Sequence, residues 1–203
     1  MNIGVLASHE GTTLQAVLDA CAAGGIGARV ALVISNNAES GALRRARAAG
    51  VEALHLSGRT HPAAAALDRA ICTALVAHGC DLVLLAGYMK QLGPLTLEAF
   101  AGRVLNTHPA LLPKFGGRGL YGLHVHRAVL AAGERESGAS LHVVEADYDS
   151  GPVIAQTRVE VLAGDTAESL AARVQSAERE LLVGVLADIA AGRRPWPASP
   201  RRS

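Results

Sequence analysis

Cysteine is scarce in this sequence, three residues in 203, and the odd number and scattered positions of Cys21, Cys72 and Cys80 argue against a disulfide framework or a cysteine metal site. They read as reduced, packed thiols of a cytoplasmic protein. Surplus charge is also lacking: 19 Lys/Arg against 18 Asp/Glu leave +1, which gives no electrostatic footprint for nucleic acid or an acidic membrane. Long apolar runs are missing too. The first ends at Ala7 and meets Ser8, His9 and Glu10 at once, so no targeting segment is expected, and nothing approaches the ~20 residues that span a bilayer. Disorder is excluded, because 50% of the residues are apolar and only 18% charged. A chain of this length buries roughly 70% of its unfolded surface in one core. One domain is expected over residues 1–192, with a disordered Pro/Arg tail at 193–203.

What is present is an alternation. Short β-rich runs at 2–7, 28–34, 52–56, 81–86 and 103–107 are separated by Ala/Leu-rich segments that read as helices at 12–23, 40–49, 63–78 and 93–100. This predicts an α/β fold with a doubly wound, mostly parallel sheet. After Thr107 the rhythm changes. Residues 108–123 are an irregular Gly/Pro-rich stretch, long enough to suggest a functional loop. A helix at 124–132 follows, then strands at 138–145 and 152–161 joined through Asp147-Tyr148-Asp149-Ser150-Gly151, which makes them antiparallel. A long helix is predicted over 167–191, capped by Asp165 or Thr166, with a stripe of Leu170, Val174, Leu181, Val185 and Ile189.

Three places carry candidate chemistry. The turn after the first strand, Ser8-His9-Glu10-Gly11-Thr12-Thr13, runs into a helix whose N–H groups make an anion site, with Gly11 permitting close approach of a phosphate. It lacks the G-x-G-x-x-G and Gly-Lys-Ser/Thr patterns, and a plain helix cap reads equally well. At Asn106-Thr107-His108-Pro109 the proline favours an extended backbone, which puts Asn106 and His108 on one face at the carboxyl end of a strand, where open α/β sheets bind ligands, although an isolated N-x-H more often marks a hydrogen-bonded core asparagine and a surface histidine. Asp149 supplies a carboxylate that could favour a charged histidine, although Asp-Ser-Gly is also ordinary turn chemistry. Glu178 sits about 40° from Val174 at the edge of the long helix's stripe, either partnered or solvated. His124, His126 and His142 could join His108 in a metal cluster, but no compact ligand spacing is present, so no metal is expected.

The strings MNIGVLAS, GTTLQAVLDA, ISNNAESGALRRARAAG, LAGYMKQL, RVLNTHPALLPKF, LHVHRAVLAAGE, SGASLHVVEADYDSGPVI and AARVQSAERE together resemble the phosphoribosylglycinamide formyltransferases. These form a branch of the folate-dependent formyltransferase superfamily, to which N-x-H-P-x-L-L-P-x-[FY] belongs. The resemblance runs from Met1 to about Gly192. It implies formyl transfer from 10-formyltetrahydrofolate, as co-substrate, to the amine of 5′-phosphoribosylglycinamide in de novo purine biosynthesis, without a metal. It implies that Asn106 holds the formyl oxygen, that His108 is the catalytic histidine, and that Asp149 keeps it charged and orders a proton-relaying water. Gly11, Thr12 and Thr13 would bind the ribonucleotide phosphate. Gln175, Ser176, Ala177 and Glu178 would contact the rest of that substrate. Met89, Lys90, Gln91, Leu92, Asn106, Glu145, Ala146, Asp147, Tyr148 and Asp149 would bind the folate.

The sequence departs from the commoner pattern at His9, Glu10 and Thr13, at Lys90 and Gln91, and at Ala64, where a basic contact is usual and Arg59 or His61 could substitute. The four glycines of Gly116 to Gly122 suggest a mobile lid. Small-molecule partners are expected, with no nucleic acid or membrane, and a homodimer stays open. The alternatives are a formyltetrahydrofolate hydrolase core and a non-catalytic nucleotide-binding module. Methionyl-transfer-RNA formyltransferase would need a second, RNA-binding domain, and the hydrolase an extra N-terminal one.

Overall fold

A computed structural model of the chain describes residues 1–196. Its strands are β1 (Asn2–Leu6), β2 (Arg29–Ser35), β3 (Glu52–His55), β4 (Leu82–Leu85), β5 (Val104–His108), β6 (Glu136–Val143) and β7 (Val153–Glu160). Its helices are α1 (Thr12–Ala22), α2 (Gly41–Ala48), α3 (Ala64–Ala77), α4 (Pro94–Ala99), α5 (Leu123–Ala131) and α6 (Ala167–Ala190). The strands follow the order β3-β2-β1-β4-β5-β6-β7 in a seven-stranded sheet. β1 pairs in parallel with β2 and β4, β2 in parallel with β3, and β6 with β7 antiparallel. Every predicted element is found, with ends moved by a few residues at most. The turn at 147–151 is longer than predicted, because β6 ends at Val143 and β7 begins at Val153.

Two compact units divide the described residues, 1–105 with 186–196, and 106–185. In the first, β1, β2 and β4 carry near-continuous apolar runs, and Ile3, Leu6, Leu32, Ile34, Leu82 and Leu84 are fully buried. Strands sandwiched between helices need this pattern. The chain order reverses between β1 and β4, so the turns after these two strands lie at the switch point of the sheet, the usual ligand position. Ser40 caps α2 by accepting from the Leu43 N–H. At the end of α6, Arg193 bonds back to Asp188; the rest of the expected tail, residues 197–203, lies outside the described residues.

The second unit packs Ala110, Val125, Val129, Ala139, Leu170 and Val174 into one apolar cluster. Thr166 is the residue that caps α6, exchanging bonds with Ser169 in a reciprocal box. The stripe of α6 differs from its prediction: Leu182 and Leu186 are fully buried, and Leu181 only partly so. Glu178 is buried, which settles its reading as a partnered carboxylate.

Candidate active site

In the second unit β5 ends in Asn106-Thr107-His108, and the extended backbone sends Asn106 and His108 to one face and Thr107 to the other. Thr107 donates its hydroxyl to Glu178 at 2.9 Å, which explains how a carboxylate is kept on the buried side of α6. His108 is 4% exposed. Its Nε2 lies 2.7 Å from the carbonyl of Phe115 and its Nδ1 3.4 Å from Asp149 Oδ2. A carbonyl can only accept, so Nε2 carries a proton and donates.

Asp149 serves both readings offered for it. It is a turn residue with φ of 52°, a left-handed conformation that aspartate tolerates better than most residues. From that turn it accepts from the Gly117 N–H at 2.9 Å and faces both His108 and His142. Burial pushes its carboxyl up, but its contacts with His142, the Gly117 N–H and His108 outweigh it, and its pKa lies below the ordinary carboxylate value.

For His108 the balance differs from the expectation. Burial of the ring lowers its pKa, and Asp149 and the Phe115 carbonyl pull it up without making good the loss. The carboxylate therefore does not lift the His108 pKa above its ordinary value. What it does is limit how far desolvation suppresses the imidazolium.

The sequence reading missed His142 as part of this constellation, considering it only as a metal ligand. It is 2% exposed, with Nδ1 2.9 Å from the Val143 carbonyl and Nε2 3.0 Å from Asn106 Nδ2 and 3.4 Å from Asp149 Oδ1. The register of β6 against β7 breaks between Leu141 and His142, an irregularity that re-aims side chains and recurs beside active sites. Alternation of small and apolar residues along 138–143 gives no hint of that break. His126 on α5 is buried as well, and burial, then the charge of His108, lowers its pKa. Among the described residues no three His, Cys, Asp or Glu groups converge to hold a metal ion.

Other candidates on this unit are less concentrated. Gln175 and Ser176 are exposed on α6 and Ala177 half-buried, and Ser176 stands roughly 160° around the helix from Glu178. The four residues therefore do not present one surface. Glu145 is half-buried, Ala146, Asp147 and Tyr148 are exposed, and all lie in the segment between β6 and β7. The Gly-rich stretch expected as a lid is tied down here, through the Phe115 carbonyl and the Gly117 N–H.

In the first unit, Gly11 is the N-cap of α1 in the left-handed conformation, with Thr12 and Thr13 opening the helix. The need for glycine is more than room for a phosphate, because a Cβ there would stand 2.7 Å from the Ala42 Cα of α2. Glu10 is turned to α2, its carboxylate 3.6 Å from Arg44 and its carbonyl accepting from Arg45. Ser8, named in the sequence only as the start of this turn, is buried and joins three turns: its hydroxyl donates to Asn36 at 2.6 Å and accepts from the Met89 N–H at 2.8 Å, and its own N–H donates to the Gly87 carbonyl. Its spacing is that of any turn serine, which is why no signal pointed to it.

A cavity of about 540 Å³ in this unit is lined by Leu67, Ile71, Tyr88, Lys90 and Gln91 among others. Arg59, His61 and Ala64 line it too, so both candidate substitutes for the basic residue missing at Ala64 face one space. Burial pushes the Tyr88 phenol up to about 12, so it is neutral. Met89 is exposed, and the Leu92 side chain belongs to the core, leaving only its backbone to a ligand.

Comparison with known proteins bears on this geometry. Residues 1–186 match the family model described as formyl transferase. The chain is 42% identical over 193 residues to the phosphoribosylglycinamide formyltransferase of Escherichia coli strain K12, covering 95% of this chain and 89% of that protein. It is 44% identical over 186 residues to the enzyme of the same name from Mycobacterium tuberculosis strain H37Rv, covering 92% and 83%. The crystal structure of glycinamide ribonucleotide transformylase 1 from Symbiobacterium toebii superposes with a TM-score of 0.88 at 44% identity, covering 95% of this chain and 89% of that one.

Proposed function

The chain belongs to the formyl transferase family, and we propose that Asn106, His108 and Asp149 carry its transfer of a formyl group from 10-formyltetrahydrofolate to the amine of 5′-phosphoribosylglycinamide. The observation that carries this reading is the convergence of these three side chains in one unit. Asn106 and Asp149 both face His142, and Asp149 faces His108. A nucleotide-binding module has no use for such a set.

The uncharged substrate amine attacks the formyl carbon, and charge develops on the former carbonyl oxygen. Asn106 Nδ2–H and the His108 ring N–H donate to that oxyanion, contacts of a class worth about 3–4 kcal/mol each when removed. The bond from the formyl carbon to the folate nitrogen then breaks. The proton lost by the amine goes to that nitrogen, through water held by Asp149 and His108. No covalent enzyme intermediate is needed. In the first unit, the α1 N-terminus at Gly11, Thr12 and Thr13 takes the phosphate, and the cavity with Lys90, Gln91, Arg59 and His61 suits an anionic aromatic ligand such as the folate tail. Three free thiols are in keeping with a reducing cytoplasm.

The test is a single assay of enzyme, phosphoribosylglycinamide and 10-formyltetrahydrofolate, following release of tetrahydrofolate. Release that requires the ribonucleotide is expected. Release without it would make the chain a hydrolase instead.

A further inference from the structure

We propose that His142 is a positioning residue, which as the neutral Nδ1–H tautomer aims the Asn106 amide at the formyl oxygen. The inference rests on the reading that Asn106 donates to the oxyanion, and deepens it. The Val143 carbonyl, 2.9 Å from Nδ1, offers only lone pairs, so Nδ1 carries the hydrogen. The Asn106 Nδ2, 3.0 Å from Nε2, is a donor only, so Nε2 offers its lone pair. Both contacts are satisfied together in one protonation state alone, the neutral ring with its hydrogen on Nδ1.

The consequence for Asn106 follows from planarity. An asparagine amide turns between two orientations of similar energy about its last torsion, and only one presents N–H to a developing oxyanion. The other presents oxygen, which repels it. With His142 accepting one Nδ2 hydrogen, the amide is held in the donating orientation, and the second hydrogen of the same NH2 is left for the substrate. His142 is 2% exposed, so solvent does not stand in for it.

Two groups face His142 Nε2, and the Asn106 amide is the nearer, 3.0 Å against 3.4 Å for the Asp149 carboxylate, whose charge pulls the other way, toward a second proton. Asp149 Oδ1 stands 3.4 Å from Nε2, and Asp149 Oδ2 the same distance from His108 Nδ1. A second proton on His142 would claim the one carboxylate between two imidazoliums and strip Asn106 of its acceptor. Neutral His142 leaves Asp149 to His108. The register break at His142 is what directs the ring toward Asn106.

The experiment is a double-mutant cycle with a spectroscopic control. In the unaltered enzyme, ¹⁵N-histidine resonances at pH 8 should show His142 with a pyrrole-type Nδ1 and a pyridine-type Nε2. His142→Leu should lower kcat by about 10- to 10²-fold with KM for both substrates within about threefold, and keep the shape of the pH profile. His142→Gln, whose amide oxygen can accept from Asn106, should recover part of the loss. The double variant with Asn106→Ala should be no slower than Asn106→Ala alone. Losses that multiply, a pH profile displaced by His142→Leu, or an unprotonated Nδ1 in the unaltered enzyme would each overturn the proposal. Full turnover in Asn106→Ala would instead sink the oxyanion reading beneath it. The resonance measurement decides the tautomer even where His142→Leu fails to fold.

Discussion

Gly151→Ala, a change of one methyl group outside the reacting residues, should damage the site measurably. Gly151 is buried two residues beyond Asp149, and its φ is not in the left-handed region, so alanine brings no backbone strain of its own. The obstacle is steric. An added Cβ would stand 2.0 Å from the Val143 carbonyl oxygen and 2.9 Å from its carbon, where real Cβ atoms stay beyond 3.0 Å, so the gap must open by at least 3.0 − 2.0 = 1.0 Å. Both sides of the gap are backbone, and no flexible side chain can yield. The oxygen that must move is the one that accepts from His142 Nδ1, and the strand that must move carries the turn of Asp149. Overpacking of this kind costs about 1–3 kcal/mol, which at about 2–4 °C per kcal/mol lowers the melting temperature by about 2–12 °C. A misplacement of about 1 Å in a catalytic set costs about 10²-fold in rate. Initial rates at saturating substrates, well below the new melting temperature, separate the two effects. Turnover equal to that of the unaltered enzyme would show that the Val143 carbonyl and the Asp149 turn do not set the site's geometry.

Three further outcomes are expected. His108→Ala should fold and bind both substrates while losing at least ~10²-fold in turnover, because one oxyanion donor is gone; near-normal turnover removes His108 from the mechanism. Asp149→Asn should fold, since asparagine tolerates the left-handed turn and its amide oxygen can still accept from Gly117. The lost charge is one that holds the His108 pKa up against burial, so that pKa falls further and the residual activity moves to lower pH, and a full-rate variant with an unmoved profile would return Asp149 to a turn role. Gly11→Ala should lower the melting temperature by about 5–15 °C, since a left-handed alanine meets Ala42, and should raise KM for the ribonucleotide more than for the folate; equal changes in both KM values would leave the turn as a helix cap.

The alternation of buried strands and helices was legible from hydropathy alone, because near-continuous apolar runs such as Leu82–Leu85 have no other use in a chain without a membrane-length segment. Asn106 and His108 were legible as a pair because period-two geometry at a strand end is local. Asp149 could be named with both of its readings but not assigned to one, since turn chemistry and carboxylate chemistry share the same letters. His142 was hidden for a different reason: its direction depends on a register break between two strands, and register is a property of the pair. Ser8 was hidden because its partners, Asn36 and Met89, lie 28 and 81 residues away. The protonation balance of His108 needed burial, which the sequence does not state.

That balance bears on how the site works. A buried histidine with a lowered pKa looks like a poor choice for a cationic donor, and in the free site its Nε2–H is already given to the Phe115 carbonyl. The two facts fit once the transition state replaces the ground state as reference. A carbonyl carries a partial charge, whereas the tetrahedral intermediate presents a nearly full one. On the proposed mechanism, an oxyanion taking the place of the Phe115 carbonyl at Nε2 would give the imidazolium an opposite charge in a buried site, where such a pair is strong. Asp149, fixed on the other nitrogen, completes the bracket. The proton is therefore held most tightly when the charge on the substrate is greatest, which is the differential stabilisation that speeds a reaction, while the free enzyme is not burdened with a fully charged buried ring. On the proposed mechanism, the Phe115 carbonyl, whose residue has φ of 57°, is the group the oxyanion would displace from Nε2.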